Sequence, residues 1–399
     1  MITIGIMLAV LPIIKAEASA FLNAIKDIEK HKSATQIEHT IQQLKSLAQS
    51  ERSWDEPVFK GTFKNFPITS FVFDDTPMTG IEFSLSQKIP LSDHKSAKSH
   101  SILSNSLVLE WKKKDTIRKL RLSAWKQAIL WLQKKREIRT IKESTDWIKK
   151  KIEVTQSFYI NGKASQQALL ELKVRHSQIK QLIKRKEYEQ KKVLEGLKYI
   201  LGEHFQIQEN EIPIEYLSKH NNAGKHAEEE SLKAKVKAKY SEINLKNLRK
   251  TPDITVGAGY TLRSSLDDKG DFLSLFIQVP LPINSKRQDN YEAAKAAQLS
   301  SQLAYDDFKI KRKTKISQAI LDIERIEVEK SILTNKTIKF SEASRDVISG
   351  SYGIGNASYE ELLSAELSLQ SLRLQEIQLW SELHITKAEL KYLKGEQLW

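Results

Sequence analysis

The sequence carries one stretch twice. Tyr159-Ile160-Asn161-Gly162-Lys163-Ala164-Ser165-Gln166-Gln167-Ala168-Leu169-Leu170 returns as Tyr352-Gly353-Ile354-Gly355-Asn356-Ala357-Ser358-Tyr359-Glu360-Glu361-Leu362-Leu363. Tyr, Gly, Ala, Ser and the Leu pair keep one offset, 352 − 159 = 193. The same offset relates Leu197-Lys198-Tyr199 and Gly202 to Leu390-Lys391-Tyr392 and Gly395. Ile89-Pro90-Leu91 and Val279-Pro280-Leu281 repeat at 280 − 90 = 190, so only a small length change intervenes. The chain is a tandem duplication, with halves at 19–202 and 225–399 and a linker at 203–224.

Each half must then find the same fold, and the 14 Gly and 9 Pro in 399 residues limit the choices. Both are scarce, which favours long uninterrupted helices over a loop-rich globule. Apolar content of 40% beside 29% charged residues suits helices that bury a narrow seam and keep most of their surface wet. Cysteine is absent, which excludes disulfides, thiolate metal sites and a catalytic thiol.

The net charge is +14, with basic clusters at Lys112-Lys113-Lys114, Lys134-Lys135-Arg136, Lys149-Lys150-Lys151 and Lys184-Arg185-Lys186. A nucleic-acid or anionic-surface footprint is one meaning of such clusters. Here they are spread along periodic segments with Glu interleaved and no aromatic stacking platform. They are therefore assigned to solvated helix faces, and no nucleic-acid partner is expected. Met1 to Ala18 is apolar and too short to span a bilayer. It ends in Ala16-Glu17-Ala18, so 1–18 is expected to be a secretory signal peptide, although no Lys or Arg precedes the apolar run and Lys15 comes late.

Helical spacing of Phe21, Ile25, Ile28, Ile37, Ile41, Leu44 and Leu47 predicts one helix from Ala20 to about Glu51. A strand is expected around Val58 to Phe66, and the clearest strand follows from Ile81 to Leu91. Ile81, Phe83, Leu85, Ile89 and Leu91 take one face of it, with Gln87 the lone polar exception, and Glu82, Ser84, Ser86 and Lys88 take the other. From Asp93 to about Phe158 the pattern is helical, roughly 98 Å at about 1.5 Å per residue, which calls for a coiled coil or α-barrel. Asn161-Gly162 breaks that helix, and Ser165 caps an antiparallel partner that Gly202 closes, completing a hairpin over about 94–201.

The second half repeats the plan. A helix is expected from Glu228 to Lys250, then strands within about 254–280. Ile254, Val256, Ala258, Tyr260 and Leu262 alternate with Thr255, Gly257, Gly259, Thr261 and Arg263, and Leu273, Leu275, Ile277 and Val279 share one face of the return strand. A helix from Ser285 to about Ser351 and a partner from Ala357 to about Lys394 complete the second hairpin, about 285–394.

The unit is thus helix, strand, strand, long helix, helix: mainly α with a small β part. Four strands are too few to close a barrel, yet their alternation is that of a transmembrane β-barrel. Closure in lipid would require several copies. No enzyme constellation stands out, so catalytic residues and a cofactor are not expected. His94 and His100 are near each other without a convincing metal cluster. Gly257-Ala258-Gly259 is not followed by a helix, so a dinucleotide loop fails.

Across the whole mature chain the plan resembles the TolC-like outer-membrane efflux factor family. The resemblance is carried by Tyr352-x-x-Gly355-x-x-Ser358 with Glu361-Leu362-Leu363, by its copy at Tyr159, and by Leu390-x-x-Leu393-x-Gly395. Pro77-Met78-Thr79-Gly80 through Gln87-Lys88-Ile89-Pro90 resembles the subgroup serving heavy-metal cation efflux pumps.

The resemblance implies a homotrimer. Twelve strands, four per chain, would form a barrel in outer-membrane lipid, continued by an α-helical barrel through the periplasm. It implies a passive exit duct for metal cations or small toxic compounds. Its partners would be a periplasmic adaptor (membrane fusion) protein and an inner-membrane pump of the RND type. By the same resemblance the adaptor-docking tips are Tyr159, Gly162, Ala164, Ser165, Tyr352, Gly355, Ala357 and Ser358. Glu360 and Glu361 are candidates for an acidic entrance gate; acids in a first helical turn also complement the helix dipole, and both roles stay open. A periplasmic coiled-coil adaptor or scaffold without a pore would explain the helical hairpins but not the two strand hairpins.

Overall fold

The computed structural model describes residues 20–219 and 224–399. The expected signal peptide, 1–18, and Asn221 and Asn222 of the linker lie outside them. The first half forms α1 (Ala20–Asp27), α2 (Lys32–Arg52), β1 (Val58–Lys64), β2 (Gly80–Ile89), α3 (His94–Ile160) and α4 (Gln166–Leu201). The second forms α5 (Ala227–Leu248), β3 (Ile254–Arg263), β4 (Phe272–Gln278), α6 (Lys286–Ile332), α7 (Ile338–Gly353) and α8 (Tyr359–Lys394). The chain divides into two compact units, and each draws on both halves of the duplication. Among the described residues one is helical, from 20–31, 117–219, 224 and 315–399; the other, from 32–116 and 225–314, carries the sheet.

In the sheet unit the strands lie in the order β1-β2-β3-β4, every pair antiparallel. The register aligns Phe59, Leu85, Ala258 and Leu275 in one row, and Lys60, Ser84, Gly259 and Ser274 in the next. Successive rows point to opposite faces. The first face is mostly hydrocarbon: Phe59, Phe63, Leu85, Leu273, Leu275 and Ile277 are all exposed, with Gln87 and Tyr260 as its polar members. Phe59 and Phe83 stack there with ring centroids 6.1 Å apart. On the second face Ser84 and Thr261 are buried, and Lys64 pairs with Glu82 at 2.5 Å.

That second face is less uniformly polar than the alternation of β3 implies, because β4 turns Phe272 and Phe276 toward it. Phe276 lies over Gly257, where a Cβ would stand 2.3 Å from its ring. The glycine makes room for an aromatic neighbour across the ladder.

The helices of this unit follow the strand order. Lys45–Glu110 (3.0 Å) and Lys113–Glu38 (2.7 Å) join α2 to α3. Ser231 donates to the Val108 carbonyl (3.2 Å), and Ser104 meets Ser241 (3.1 Å), joining α3 to α5. Arg312 and Glu229 join α5 to α6. Many buried residues here are Ala or Ser (Ala34, Ala48, Ala97, Ser101, Ala238, Ala294), so the helices approach closely without bulky knobs.

The helical unit is built around Trp125, which is fully buried. Its Nε1–H donates to the Leu398 carbonyl (2.8 Å), Phe21 meets it edge-on at 5.0 Å, and Tyr216 stacks on it at 6.0 Å. Arg118 donates to the carbonyls of Tyr392, Gly395 and Glu396, fastening the end of α8. Ile138, Ile141 and Ile148 of α3 pack on Ile179 and Ile183 of α4. Ile326, Leu333 and Ile338 pack on Leu369, Leu379 and Leu383 of α8.

Two expected helices are altered. The helix expected from Ala20 to about Glu51 breaks at His31, which is extended (φ −61°, ψ 140°). Arg121 accounts for the break: its guanidinium donates to the Ile25 and Lys26 carbonyls near the end of α1, giving them a partner outside the helix. The helix expected from Ser285 to Ser351 contains a π-turn at Leu333–Thr337. Leu321, Val328, Ile332, Phe340 and Val347 are exposed along this run, and Ile354 just past its end. They recur at four or seven positions except across the π-turn, where the step is eight; its extra residue keeps the stripe on one face. The linker holds short 3₁₀ turns at Glu209–Glu211 and Ile214–Ser218.

A polar layer interrupts the seam between α3, α7 and α8. Glu366 is buried; Ser144 Oγ donates to its Oε1 (2.9 Å), and Arg345 lies 3.5 Å from Oε2. Burial pushes the Glu366 carboxyl above its ordinary range, outweighing the pull of Ser144 and Arg345. A raised carboxyl stabilises the fold below the ordinary carboxylate pKa and loses that contribution as pH rises through the folded value. Glu366→Gln should therefore stabilise the protein at pH 7.5 by on the order of 1 kcal/mol and give no gain near pH 4. Thermal unfolding in detergent at the two pH values checks this; a loss at pH 7.5 would show that the charge is held favourably.

Candidate functional sites at the interhelical turns

The duplicated stretch forms the two turns that close the helical hairpins, and its repetition is a repetition of hydrogen bonds. Gly162 N–H donates to the Tyr159 carbonyl (3.0 Å) and Lys163 N–H to that of Phe158 (2.7 Å). At the same offset, Gly355 N–H donates to Tyr352 (3.1 Å) and Asn356 N–H to Ser351 (2.8 Å). This paired closure needs a left-handed residue after the helix. Gly162 (φ +67°) and Gly355 (φ +82°) supply it.

The next helices start alike and then diverge. Ser165 Oγ accepts from Ala168 N–H (3.1 Å), and Ser358 Oγ from Glu361 N–H (3.2 Å). Only the second start is reciprocal: Glu361 accepts in return from Ser358 N–H (2.9 Å), completing a capping box. Glu361 thus spends one carboxylate oxygen on the cap, and both it and Glu360 remain exposed.

The two tyrosines take opposite positions. Tyr352 is buried, its hydroxyl 2.7 Å from Thr155 Oγ1 and its ring 5.9 Å from Phe158, so it fastens α7 to α3 beneath the turn. Tyr159 is 42% exposed. Gly162, Ser165, Gly355 and Ser358 are exposed as well, with Ala164 and Ala357 half-buried beside them. A Cβ at either turn glycine would meet nothing within 4 Å. Each turn is an uncovered surface whose backbone is held by its own hydrogen bonds.

A further acid, Glu171, stands beside the turns. Tyr359 donates to Glu171 Oε2 (2.6 Å), tying α8 to α4. That bond holds the Glu171 carboxyl below its ordinary range and pushes the Tyr359 hydroxyl up. Glu171 occupies in the first half the place that Ser364 holds in the second, since 364 − 171 = 193. The duplication offset was the signal that could have found it.

Among the described residues, no group of three or more His, Asp or Glu side chains is placed to hold a metal ion. Several basic clusters are paired as helix faces. Lys134 and Lys186 share Glu137 and Glu189, Lys184 meets Glu187, and Lys149 meets Asp146.

No family model matches the sequence, and no curated protein matches it. Solved structures do. The outer membrane protein VceC of Vibrio cholerae superposes with a TM-score of 0.74 at 13% identity, over 95% of this chain and 97% of that one. CusC, described for its transmembrane channel formation, gives 0.75 at 14% identity over 94% and 92%. The outer membrane channel CmeC of Campylobacter jejuni gives 0.73 at 12% over 94% and 86%. At such low identity the likeness is one of fold, and it extends over nearly the full length of both partners. The chain has the fold of the TolC-like outer-membrane channels.

Proposed function

We propose that three copies of this chain form an outer-membrane exit duct, a passive component of a tripartite efflux system. The observation that carries this is the sheet. It has one exposed and largely hydrocarbon face, one face of mostly polar and small residues that also carries Phe272 and Phe276, and open edges at β1 and β4. An open edge cannot sit in lipid, because each unpaired N–H and C=O there costs several kcal/mol. Three copies pairing β4 to β1 give twelve strands without an edge. Among the described residues no helix is long and apolar enough to cross a membrane, so the crossing falls to the sheet.

The exposed stripe from Leu321 to Ile354 supports the same assembly. Soluble monomers rarely leave such a continuous apolar line uncovered. A neighbouring copy covers it, and the helices continue the barrel into the periplasm. Export to that compartment falls to the signal peptide at 1–18. The duplication at 19–202 and 225–399 gives each copy two tips, and the trimer six.

Tyr159, Gly162, Ala164, Ser165, Gly355, Ala357 and Ser358 receive a periplasmic adaptor protein, which links the duct to an inner-membrane pump of the RND type. Tyr352 acts from beneath, holding the second tip rigid. Glu360 and Glu361 stand in rings at the entrance, where the three-fold axis would bring them together. The protein performs no reaction; the pump supplies the energy for metal cations or small toxic compounds to pass.

Two tests follow. If the faces are assigned correctly, Val256→Asp abolishes outer-membrane assembly while Thr255→Asp, next to it on the polar face, does not. Heat-modifiable trimer on a gel checks this, and equal effects would mean the faces are misassigned. The tips are tested by Ala164→Trp with Ala357→Trp, which leaves the left-handed turn glycines in place. A deletion strain carrying this double variant should contain normal trimer yet stay as sensitive to toxic metals and organic compounds as the deletion itself. Full complementation would remove the tips from docking.

A further inference from the structure

We infer that the loop between β1 and β2, residues 65–79, inserts its apolar side chains among lipid acyl chains at the end of the barrel away from the helices. The inference rests on the barrel proposed above and adds to it a lipid contact beyond the strands.

The two strand hairpins are copies in one duplication, yet their loops differ in kind. Ser264 to Asp271, between β3 and β4, holds Asp267, Asp268, Lys269 and Asp271 and one large apolar residue, Leu266. Asn65 to Thr79, between β1 and β2, holds Phe66, Ile68, Phe71, Val72, Phe73 and Met78. Ile68 is 99% exposed, Met78 75%, Phe71 70% and Val72 52%. Single exposed apolar residues are ordinary, but four in one short loop form an uncovered contact surface.

The loop is built to keep them outside. Asn65, at left-handed φ (+54°), donates from Nδ2 to the Met78 carbonyl (3.0 Å), and Thr79 Oγ1 donates to the Asn65 carbonyl (3.2 Å), so the two ends are tied. Phe71 N–H donates to the Pro67 carbonyl (2.8 Å), and the Ser70 hydroxyl donates to Asp75. Phe71 also takes left-handed φ (+50°), a conformation uncommon for a residue with a Cβ. Its ring meets Phe66 at 5.1 Å, and Phe66 meets Phe73 at 6.2 Å. Local hydrogen bonds and this aromatic cluster fix a shape in which Ile68, Phe71 and Val72 face outward.

What covers them follows from what adjoins them. Phe66 also meets Phe63 at 5.7 Å. Phe63 belongs to the hydrocarbon face, in one row with Ile81 and Leu262. The apolar cluster is thus continuous with the surface assigned to lipid. Protein offers no comparable cover. With β4 paired to the next β1, each 65–79 loop stands between two 264–271 loops, its own copy's and the adjoining copy's, and both are mostly polar. Lipid is the apolar phase that remains. Apolar side chains beyond a strand end enter the boundary where acyl chains meet headgroups. Asp74 and Asp75, the two acids of the loop, suit the polar side of that boundary.

The test uses the absence of cysteine from the chain. Ile68→Cys, Leu275→Cys and Asp268→Cys trimers are each labelled with a bimane fluorophore and reconstituted in phosphatidylcholine vesicles. Two quenchers are compared, iodide present on both sides of the membrane and phosphatidylcholine brominated on its acyl chains. The labels at positions 68 and 275 should be quenched by the brominated lipid and shielded from iodide, and the label at 268 should show the reverse. A label at 68 quenched by iodide as strongly as that at 268 would place the loop in water and overturn the inference. A label at 68 that neither quencher reaches would mean that protein covers the loop, which overturns it as well. In both cases quenching at 275 by the brominated lipid leaves the barrel standing. A label at 275 that the brominated lipid fails to quench would overturn the barrel, and the inference with it.

Discussion

The unpaired edges of a four-stranded sheet govern the rest of this structure. A sheet with one hydrocarbon face belongs against lipid, and a sheet with two free edges cannot remain there alone. The chain supplies four strands, β1 to β4, and no more among the described residues. On the proposed reading, assembly is therefore a condition for the sheet to exist in lipid. The exposed line on α6 and α7 sets the same requirement on the helices. Both features have one physical origin, apolar or hydrogen-bonding surface for which a single copy has no partner.

Much of this was legible in the sequence, because periodicity and duplication act on every residue. β3 begins and ends where alternation placed it, at Ile254 and Arg263. Gly162, expected to break the first long helix, does so at positive φ, and Gly355 repeats it at the same offset. Ser165 and Ser358 cap the following helices through the donors three residues on. Such features are local: a glycine that must follow a helix end, a hydroxyl that must face an open N–H, an apolar residue that must recur every second position.

What was not legible depended on partners distant in sequence. Nothing near His31 announces the break between α1 and α2; Arg121 imposes it from about ninety residues away by taking the Ile25 and Lys26 carbonyls. The π-turn at Leu333 has no glycine or proline to signal it and is visible only as an eight-residue step in an otherwise regular stripe. Tyr159 and Tyr352 are identical in the repeat, yet Thr155 and Phe158 bury the second and leave the first exposed. Tertiary contacts give the two copies different surroundings. The candidate tips show this division: two turns with one hydrogen-bond pattern, only one closed by a capping box and a buried tyrosine.

The central claim is closure of the sheet by three copies, and the mass of the protein extracted from outer membranes tests it most directly. Native mass spectrometry in detergent should give three copies of the chain, 45.8 kDa each before any processing, stable until the detergent is made denaturing. A monomer or a dimer would leave strand edges open and contradict the account.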